Sequence, residues 1–372
     1  MPEINFCYQC HVLTNRKYIQ SMDKLNRLVL IGNGFDLAHG LKTSYKNFID
    51  WYICKAFDEF GSKKHYKDEL IEIKNKHTGS ATIFEQKPET FEEALNLISL
   101  TDTQSIIYHS NFFQRLIESF KTNGWVDIER YYFRLLKAYF SNHSLTEKKQ
   151  IVSKLNSEFD FLITQLAEYI EQINSSLKGV PKLTAQESNC NLTAAFATSS
   201  PSSEVKFLNF NYTETLRAKD YANEEEIIHI HGRVTDIKQN PLIFGYGDES
   251  DPVYQSIEDS GENIYLEHIK SFSYFRTPNY HNLLSYIDSC SYVVYVAGHS
   301  CGLSDRILLN QIFEHSNCRS IEIFFHKRDN GTDNFKEITQ EISRHFKPQN
   351  KGLMRRKVKG YNQKDFIPQN KI

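Results

Sequence analysis

The hydrophobic pattern alternates between short apolar runs and segments with helical spacing. The first run, "RLVLIG" at residues 27–32, is continuous, as in a strand that is buried on both faces of a parallel sheet. Similar runs occupy residues 205–211, 226–232, 241–247, 291–298 and 320–326. Helical spacing occurs near residues 44–60, 279–289, 303–315 and 333–346. This alternation predicts an α/β fold with a Rossmann-like, doubly wound, mostly parallel sheet.

A long helical segment interrupts the alternation. Residues 61–83 are polar and lysine-rich, which predicts an exposed connection, and helical spacing continues from about residue 85 to 178. Because the first strand lies far from the others along the chain, we predict a large helical insertion at residues 61–182. The Rossmann-like nucleotide-binding domain then consists of residues 22–60 and 205–346.

Three segments lie outside these units. Residues 1–21 precede the natural start of the first strand, and we predict a disordered N-terminal extension. Residues 183–204 are small, polar and unpatterned, which predicts a flexible loop. Residues 347–372 form a basic tail, since nine Lys or Arg and one acidic residue follow from Ser343. Such a tail can contact phosphate, but we expect a solvated end.

Composition narrows the class of protein. The net charge of −2 over 372 residues gives no global field that favours nucleic acid or membrane. The longest apolar runs, such as "YVVYVAG", fall far short of the roughly 20 residues of a membrane helix. The N-terminus also lacks the pattern of a secretory signal. We therefore expect a cytoplasmic protein that makes no membrane contact.

The seven cysteines are odd in number and mostly scattered, which argues against a disulfide framework. The stretch "CYQCH" at residues 7–11 matches a c-type haem attachment motif, and its thiols would make half of a zinc site. No second Cys/His pair follows at finger spacing. We therefore predict no metal.

The first candidate for chemistry is the glycine turn after the first strand. Gly32 and Gly34 allow close backbone approach, and the amides that follow can point at an anion. The third glycine, Gly40, comes too late for the dehydrogenase fingerprint. The turn is consistent with phosphate binding and equally with simple packing of strand on helix.

Two more motifs stand at predicted strand ends, where doubly wound sheets bind ligands. In "NFNYT", the amide of Asn211 suits a sugar hydroxyl or a water, although capping a helix is the alternative. In "HIHG", His231 ends the strand and could act as a base, whereas His229 is predicted to be a satisfied core residue.

The last turn, "GHSCG", matches the nucleophile elbow GxSxG. If Ser300 is a nucleophile, its histidine must come from His315, His326 or His345. The alternative is a ligand-binding turn in which Ser300 contacts phosphate or ribose. Asp305 could then cap the next helix or bind a sugar hydroxyl.

An acidic pair begins a helix of the insertion in "WVDIE". Asp127 and Glu129 are two positions apart, so they do not share one side of the helix. Carboxylates in a first turn also favour the helix dipole. A structural role and a site role both remain open for this pair.

As a set, these motifs resemble the bacteriophage abortive infection AbiH family. The likeness runs from about Met22 to His326 and rests on "GNGFDLAHGL", "TSY", "WVDIE", "NFNYT", "HIHG" and "GHSCGLSD". It implies phage defence with an unidentified phage trigger. The helical insertion could then be the sensor or the interface of a homo-oligomer.

The AbiH family is in turn similar to the SIR2-like NAD-consuming proteins, whose sheet is Rossmann-like. Gly32, Gly34 and Gly40 fall on the spacing of their opening motif, with Asn33 and Asp36 at positions that hold alanine and serine there. The resemblance implies a nucleotide pocket at these turns.

The later motifs match the same proteins residue by residue. Asn211 falls at their functional asparagine, and Thr213 replaces their aspartate. His231 falls at their catalytic base, while Gly298 and Ser300 match the turn that binds the adenosine side.

The resemblance thus implies hydrolysis of NAD, or of a related nucleotide, at the nicotinamide–ribose bond without a metal. His231 would accept a proton and Asn211 would position water or hydroxyls. The implied nucleotide contacts are Gly32, Asn33, Gly34, Asp36, Thr43, Tyr45, Gly298, Ser300 and Asp305.

Two alternatives remain open. One is a nucleotide-binding sensor module without turnover. The other is a defence effector that acts on nucleic acid through the basic tail, which the near-neutral charge of the chain disfavours.

Overall fold

The computed structural model describes residues 25–75, 88–101, 104–123, 127–142, 145–183, 190–197, 203–246 and 248–370. The predicted N-terminal extension and the "CYQCH" motif lie outside these residues. The strands are β1 (Asn26–Ile31), β2 (Tyr66–Lys67), β3 (Ile71–Asn75), β4 (Gln104–Tyr108), β5 (Val205–Asn209), β6 (Ile227–His229), β7 (Tyr292–Ala297) and β8 (Cys318–Phe324).

Fourteen α-helices occur among the described residues. They are α1 (Asn33–Ala38), α2 (Tyr45–Lys63), α3 (Phe91–Thr101), α4 (Asn111–Asn123), α5 (Ile128–Asn142), α6 (Leu145–Ser176), α7 (Leu192–Phe196), α8 (Thr215–Ala218), α9 (Pro252–Asp259), α10 (Lys270–Ser273), α11 (Asn279–Ser289), α12 (Arg306–Glu314), α13 (Phe335–His345) and α14 (Lys351–Lys357).

The central sheet contains five parallel strands in the order β6–β5–β1–β7–β8. In the middle strand, Leu28, Val29 and Leu30 are fully buried, because helices and loops cover both faces. The predicted Rossmann-like sheet is therefore confirmed. The helices predicted from the spacing near residues 44–60, 279–289, 303–315 and 333–346 are also present, as α2, α11, α12 and α13.

The carboxyl ends of the five parallel strands lie along one edge of this sheet. Leu30 of β1 lies beside Leu208 of β5 and Val296 of β7. Pairing continues past the strands, since the amide of Phe210 donates to the carbonyl of Ile31 at 2.9 Å. The turns that carry the sequence motifs therefore lie at a common edge.

The insertion is not wholly helical, contrary to the prediction. Strands β2, β3 and β4 form a three-stranded antiparallel sheet within it. Ile71 and Ile73 alternate inward and are fully buried, whereas Lys74 of the same strand is exposed. The lysines of this stretch suggested an exposed connection and concealed the period of two.

The prediction of a strand at residues 241–247 is wrong for its described part, because residues 241–246 form only a bridge between Tyr246 and Ile269. Their aromatic rings pack on the insertion instead. Phe244 stacks on Phe159 of α6 with ring centroids 5.2 Å apart, and Tyr246 stacks on Phe133 of α5 at 4.6 Å. The insertion therefore shares one hydrophobic core with this connection, and that packing brings α5 to the edge of the sheet.

The C-terminal segment is packed rather than solvated, which corrects the prediction of a free basic tail. Val358 forms a bridge with Ile321 of β8, and Phe366 does so with Phe325. Lys357 is 5% exposed and donates to the carbonyl of Phe313. The segment thus covers the outer strand of the sheet, which would otherwise present unpaired backbone groups.

The predicted flexible loop at residues 183–204 contains a short helix, α7. Leu192 and Ala195 of this helix are buried against the sheet. The Arg27 guanidinium donates to the carbonyls of Ala194 and Ala197 at its end. This part of the segment is therefore an ordered element of the fold.

Candidate functional site

The opening glycine turn packs directly against the turn that follows β7. The amide of Gly34 donates to the carbonyl of Gly298 at 2.8 Å, and that of Gly32 donates to Ala297 at 3.3 Å. Gly298 has φ +79°, and a Cβ there would lie 2.2 Å from the amide nitrogen of Phe35. Close approach of two backbones explains these glycines. Two of the amides expected to cradle phosphate already have partners within the protein.

Asn211 holds the same turn from the neighbouring strand. Its side-chain amide donates to the carbonyl of Gly32 at 3.1 Å, and its backbone amide donates to the side chain of Asn209 at 3.1 Å. The side chain is buried. Asn211 therefore fixes the opening turn at the strand-end edge, where the sequence predicted it to contact a ligand.

Asp36 lies in the interior beside "NFNYT". Its Oδ2 accepts a 2.6 Å hydrogen bond from the hydroxyl of Thr213, which in turn accepts from Thr215. Its other oxygen has no hydrogen-bond partner among the described residues, although the side chain is only 1% exposed. Burial raises the pKa of Asp36 to about 6.

The other predicted nucleotide contacts lie nearer the surface. Asn33 and Ser300 are exposed, and the hydroxyl of Thr43 donates to Asn33 Oδ1 at 2.5 Å. Tyr45 is partly exposed, and the centroid of its ring lies 6.0 Å from the centroid of the Phe244 ring. Burial, together with the negative charge of Glu129, raises the pKa of the Tyr45 hydroxyl well above its usual value. These residues line the outer part of the strand-end edge.

His231 and Asp305 form a buried pair at the same edge. His231 Nε2 lies 3.0 Å from Asp305 Oδ1, and its Nδ1 lies 3.2 Å from the carbonyl oxygen of Phe210. Both partners are acceptors, so only a doubly protonated ring satisfies both contacts. Burial and the nearby Lys270 ammonium lower the pKa of His231 to about 4. The ring is therefore neutral near pH 7.

Lys270 is a functional candidate that the motif analysis missed. Its ammonium lies 2.9 Å from Asp305 Oδ1 and 2.9 Å from Glu129 Oε1, and the residue is 1% exposed. Burial opposes its charge, but Asp305 and Glu129 raise its pKa well above the usual value. The sequence offered one weak signal, a lysine within the largely apolar stretch "HIKSFSYF".

The two carboxylates respond differently to this lysine. Burial disfavours the charged form of Asp305, but Lys270 and His231 outweigh it and hold the pKa of Asp305 well below the usual range. Burial raises the pKa of Glu129 to about 7, and Lys270 only partly opposes that rise. Glu129 also accepts from the amide of Gly245 at 3.0 Å. The other member of the acidic pair, Asp127, has a structural role: it caps α5 by accepting from the amide of Arg130 at 3.0 Å.

A second histidine, His299, also faces Asp305. Its Nε2 lies 3.6 Å from Asp305 Oδ2, and its Nδ1 accepts from the amide of Cys301 at 3.0 Å. The residue is buried against the ring of Phe210, with centroids 4.0 Å apart. The pattern GxSxG leaves the position of His299 unspecified, so it predicts no role for this residue.

The nucleophile-elbow alternative lacks a partner histidine. His345 contacts the carbonyl of Cys301 at 2.8 Å, and His315 contacts Asp288 at 3.0 Å. Within the part of the chain that the structure covers, Ser300 makes no hydrogen bond to either residue or to His326. The geometry therefore contains no Ser–His pair at this turn.

His229 is buried, as predicted for a core residue, but it is not satisfied. Both of its ring nitrogens lack hydrogen-bond partners among the described residues. Burial lowers the pKa of His229, so the ring is neutral. It lies apart from the pair formed by His231 and Asp305.

The described residues contain no group of three or more His, Cys, Asp or Glu side chains arranged to hold a metal ion. No described helix is long and apolar enough to span a membrane. The five cysteines in this part of the chain carry free thiols.

The fold and the site together define an α/β protein of Rossmann-like type whose strand-end turns surround a buried cluster of ionisable groups. A family model described as bacteriophage abortive infection AbiH matches residues 28–327. The chain therefore belongs to the AbiH family, as its motifs predicted. No curated protein matches it. Membership of this family supports a role in anti-phage abortive infection.

Proposed function

We propose that this protein acts in phage defence by hydrolysing NAD, or a related nucleotide, at the nicotinamide–ribose bond. The observation that carries the proposal is the buried pair of His231 and Asp305 at the strand-end edge, beside Asn211. Ligands of doubly wound sheets bind at this edge. The similarity of the sequence motifs to SIR2-like proteins supports the same substrate class.

The reaction makes distinct demands on these residues. As the bond between C1′ and the nicotinamide nitrogen breaks, positive charge develops on the ribose and nicotinamide leaves as a neutral molecule. A water oxygen bonds to C1′, and its proton passes to His231. Asp305 remains ionised beside Lys270, so it can stabilise both the ribose cation and the protonated imidazole.

Both ring nitrogens of His231 already contact acceptor atoms, which favours uptake of a proton but blocks direct access of a substrate group to the ring. The neutral ring carries one proton, and a second proton completes its bonds to both Phe210 and Asp305. A substrate hydroxyl or water can reach a ring nitrogen only by taking the place of one of these acceptors. The proposed mechanism therefore includes a small rearrangement when substrate binds.

The remaining polar groups of the edge supply contacts for the rest of the nucleotide. Asp36 has an unbonded carboxylate oxygen that could accept from a ribose hydroxyl. We also propose that the protein acts in the cytoplasm, and that a phage-derived trigger activates it as a monomer or homo-oligomer. The outer contacts would come from Asn33, Thr43, Tyr45 and Ser300.

The direct test measures nicotinamide and ADP-ribose released from NAD by the purified full-length protein. We expect His231→Ala to reduce release by about 10²- to 10⁴-fold, the usual value of a general base. Asn211→Ala should also reduce it. His229→Ala is the matched control, because it removes a buried histidine two residues away, at the end of β6, that lies outside the proposed site.

A thermal-shift titration with NAD accompanies the assay, with and without lysate of phage-infected cells. Binding without product, unchanged in His231→Ala, would replace hydrolysis by the sensor alternative. A protein that neither binds nor cleaves NAD under any of these conditions would contradict the proposal. The nucleic acid alternative predicts instead that salt-dependent binding is lost when basic residues of the C-terminal segment are neutralised.

A further inference from the structure

The buried ammonium group of Lys270 connects the insertion to the segment that follows the central strand β7. Glu129 belongs to α5 of the insertion, whereas Asp305 follows β7, and Lys270 binds both carboxylates at 2.9 Å. Buried ion clusters carry a desolvation cost, and apolar residues of similar size often stabilise a fold equally well. A cluster with this geometry therefore calls for a reason beyond stability.

The geometry places Lys270 next to the proposed base. Its ammonium and His231 Nε2 bind the same oxygen, Asp305 Oδ1, at 2.9 and 3.0 Å. The two nitrogens therefore lie within about 6 Å of each other, close enough for one charge to govern the protonation of the other group. Lys270 both holds the carboxylate in position and opposes a second proton on His231.

Other ionisable groups face this cluster from several elements of the fold. Three tyrosines, one histidine and one more carboxylate lie close enough to interact electrostatically with the charged groups of the cluster. Burial and neighbouring carboxylates raise the pKa values of these tyrosines, so they remain neutral near pH 7. These groups are Tyr45, Tyr212, Tyr274, His299 and Asp127.

We propose that Lys270 is a positioning residue of the reaction: it joins Glu129 of the insertion to Asp305 in the segment after β7 and fixes the carboxylate that contacts His231. The catalytic meaning of this inference rests on the proposed function, but the electrostatic link does not. The insertion then supplies a working part of the site. Displacement of α5 by a trigger would alter the base directly.

The test measures the protonation of His231 and requires no substrate. Carbon-13-labelled histidine is titrated by NMR between pH 4 and 8, and the His231 signal is assigned from its loss in His231→Asn. The variant Lys270→Met with Glu129→Gln removes one charge of each sign, which limits the burial of unpaired charge. We expect the pKa of His231 to rise by about one to three units, because Asp305 then acts on it unopposed.

Two variants serve as controls. Lys270→Arg keeps the cation and should restore a low pKa of His231. Lys357→Met removes another buried lysine, which binds the carbonyls of Phe313 and His315 and no member of the cluster, and it should leave the pKa of His231 unchanged. Where NAD is cleaved, the acidic limb of kcat/KM should move to higher pH in the double variant alone.

An unchanged His231 pKa in the folded double variant would overturn the proposal. If the double variant does not fold, the single variant Glu129→Gln takes its place. It keeps the shape of the side chain at position 129 and leaves the Lys270 ammonium present. The pKa of His231 should then stay at or below its original value, and a rise would overturn the proposal. Failure of NAD cleavage leaves this titration intact, so the two proposals can fail separately.

Discussion

Two buried lysines, one at the strand-end edge and one in the C-terminal segment, occupy opposite electrostatic environments. Lys270 is 1% exposed and binds two carboxylates, which raise its pKa well above the usual value despite burial. Lys357 is 5% exposed and donates to the carbonyl oxygens of Phe313 and His315 at 2.8 and 2.7 Å. Burial lowers the pKa of Lys357.

The comparison shows that a buried lysine can have hydrogen-bond partners and still lack groups that balance its charge. Neutral carbonyls meet the donors of Lys357 and secure α14 against the end of α12, but they compensate its charge only weakly. The carboxylates around Lys270 do both, and in return Lys270 keeps Asp305 ionised. Lys357 therefore contributes to the fold, whereas Lys270 determines the charge of the site.

The largest effect should come from Lys270→Met. It leaves Glu129 and Asp305 buried without their cation, so we expect unfolding free energy to fall by about 3–5 kcal/mol. Urea unfolding at pH 7 measures the change. Adding Glu129→Gln should recover part of the loss. A loss below about 1 kcal/mol would contradict the pairing.

The glycines extend the comparison between the two regions. Gly298→Ala should destabilise the protein by about 1–3 kcal/mol through backbone strain, and overlap with Phe35 adds to this. Gly352 lies in α14 with open space around it, so Gly352→Ala should stabilise by about 0.5–1 kcal/mol. Thermal unfolding of both variants measures the contrast, and equal shifts would refute the packing of the two turns.

Lys357→Met should have a smaller effect than Lys270→Met. It removes charged hydrogen bonds to two carbonyls without stranding a buried charge, so we expect a loss of about 1.5–3 kcal/mol. The same urea series measures it. A loss as large as that of Lys270→Met would mean that carbonyls and carboxylates are equivalent partners here.

Asp36 provides the most pH-specific contrast, because it is buried like Asp305 but its hydrogen-bond partner is the neutral hydroxyl of Thr213. Its pKa is raised from 3.8 to about 6, so the folded protein keeps a proton that the unfolded chain releases between these values. Stability should therefore fall as pH rises from about 4 to 6. We expect Asp36→Asn to remove that decline, which amounts to at most about 3 kcal/mol, since each pKa unit corresponds to about 1.4 kcal/mol. Parallel unfolding curves for both proteins across this range would contradict the prediction.

Much of the architecture follows from local pattern. Strands buried on both faces require continuous apolar runs, and β1, β5 and β7 show them plainly. The strands of the insertion could not be predicted in this way, because lysines near Ile71 and Ile73 concealed the alternation of buried and exposed residues in β3. Whether the C-terminal segment packs on β8 depends on contacts between distant residues, and its charge alone suggested a solvated end.

The site was predictable only in part. Parallel topology places the ends of successive strands together, so His231 and Asn211 could be expected at one edge. The cluster of Glu129, Lys270 and Asp305 depends on how the insertion packs, and no spacing along the chain encodes it. The glycine turns fit either packing or phosphate binding in the sequence, and the structure contains the packing contacts.

The most direct test of the central claim measures the NAD content of phage-infected cells, where the natural trigger is present. Cells with the wild-type protein and cells with His231→Ala are compared at matched protein levels, before and after infection. The account predicts that NAD falls after infection only in cells with the wild-type protein, and that only these cells restrict the phage. Restriction of the phage by the wild-type protein with NAD undiminished would contradict it.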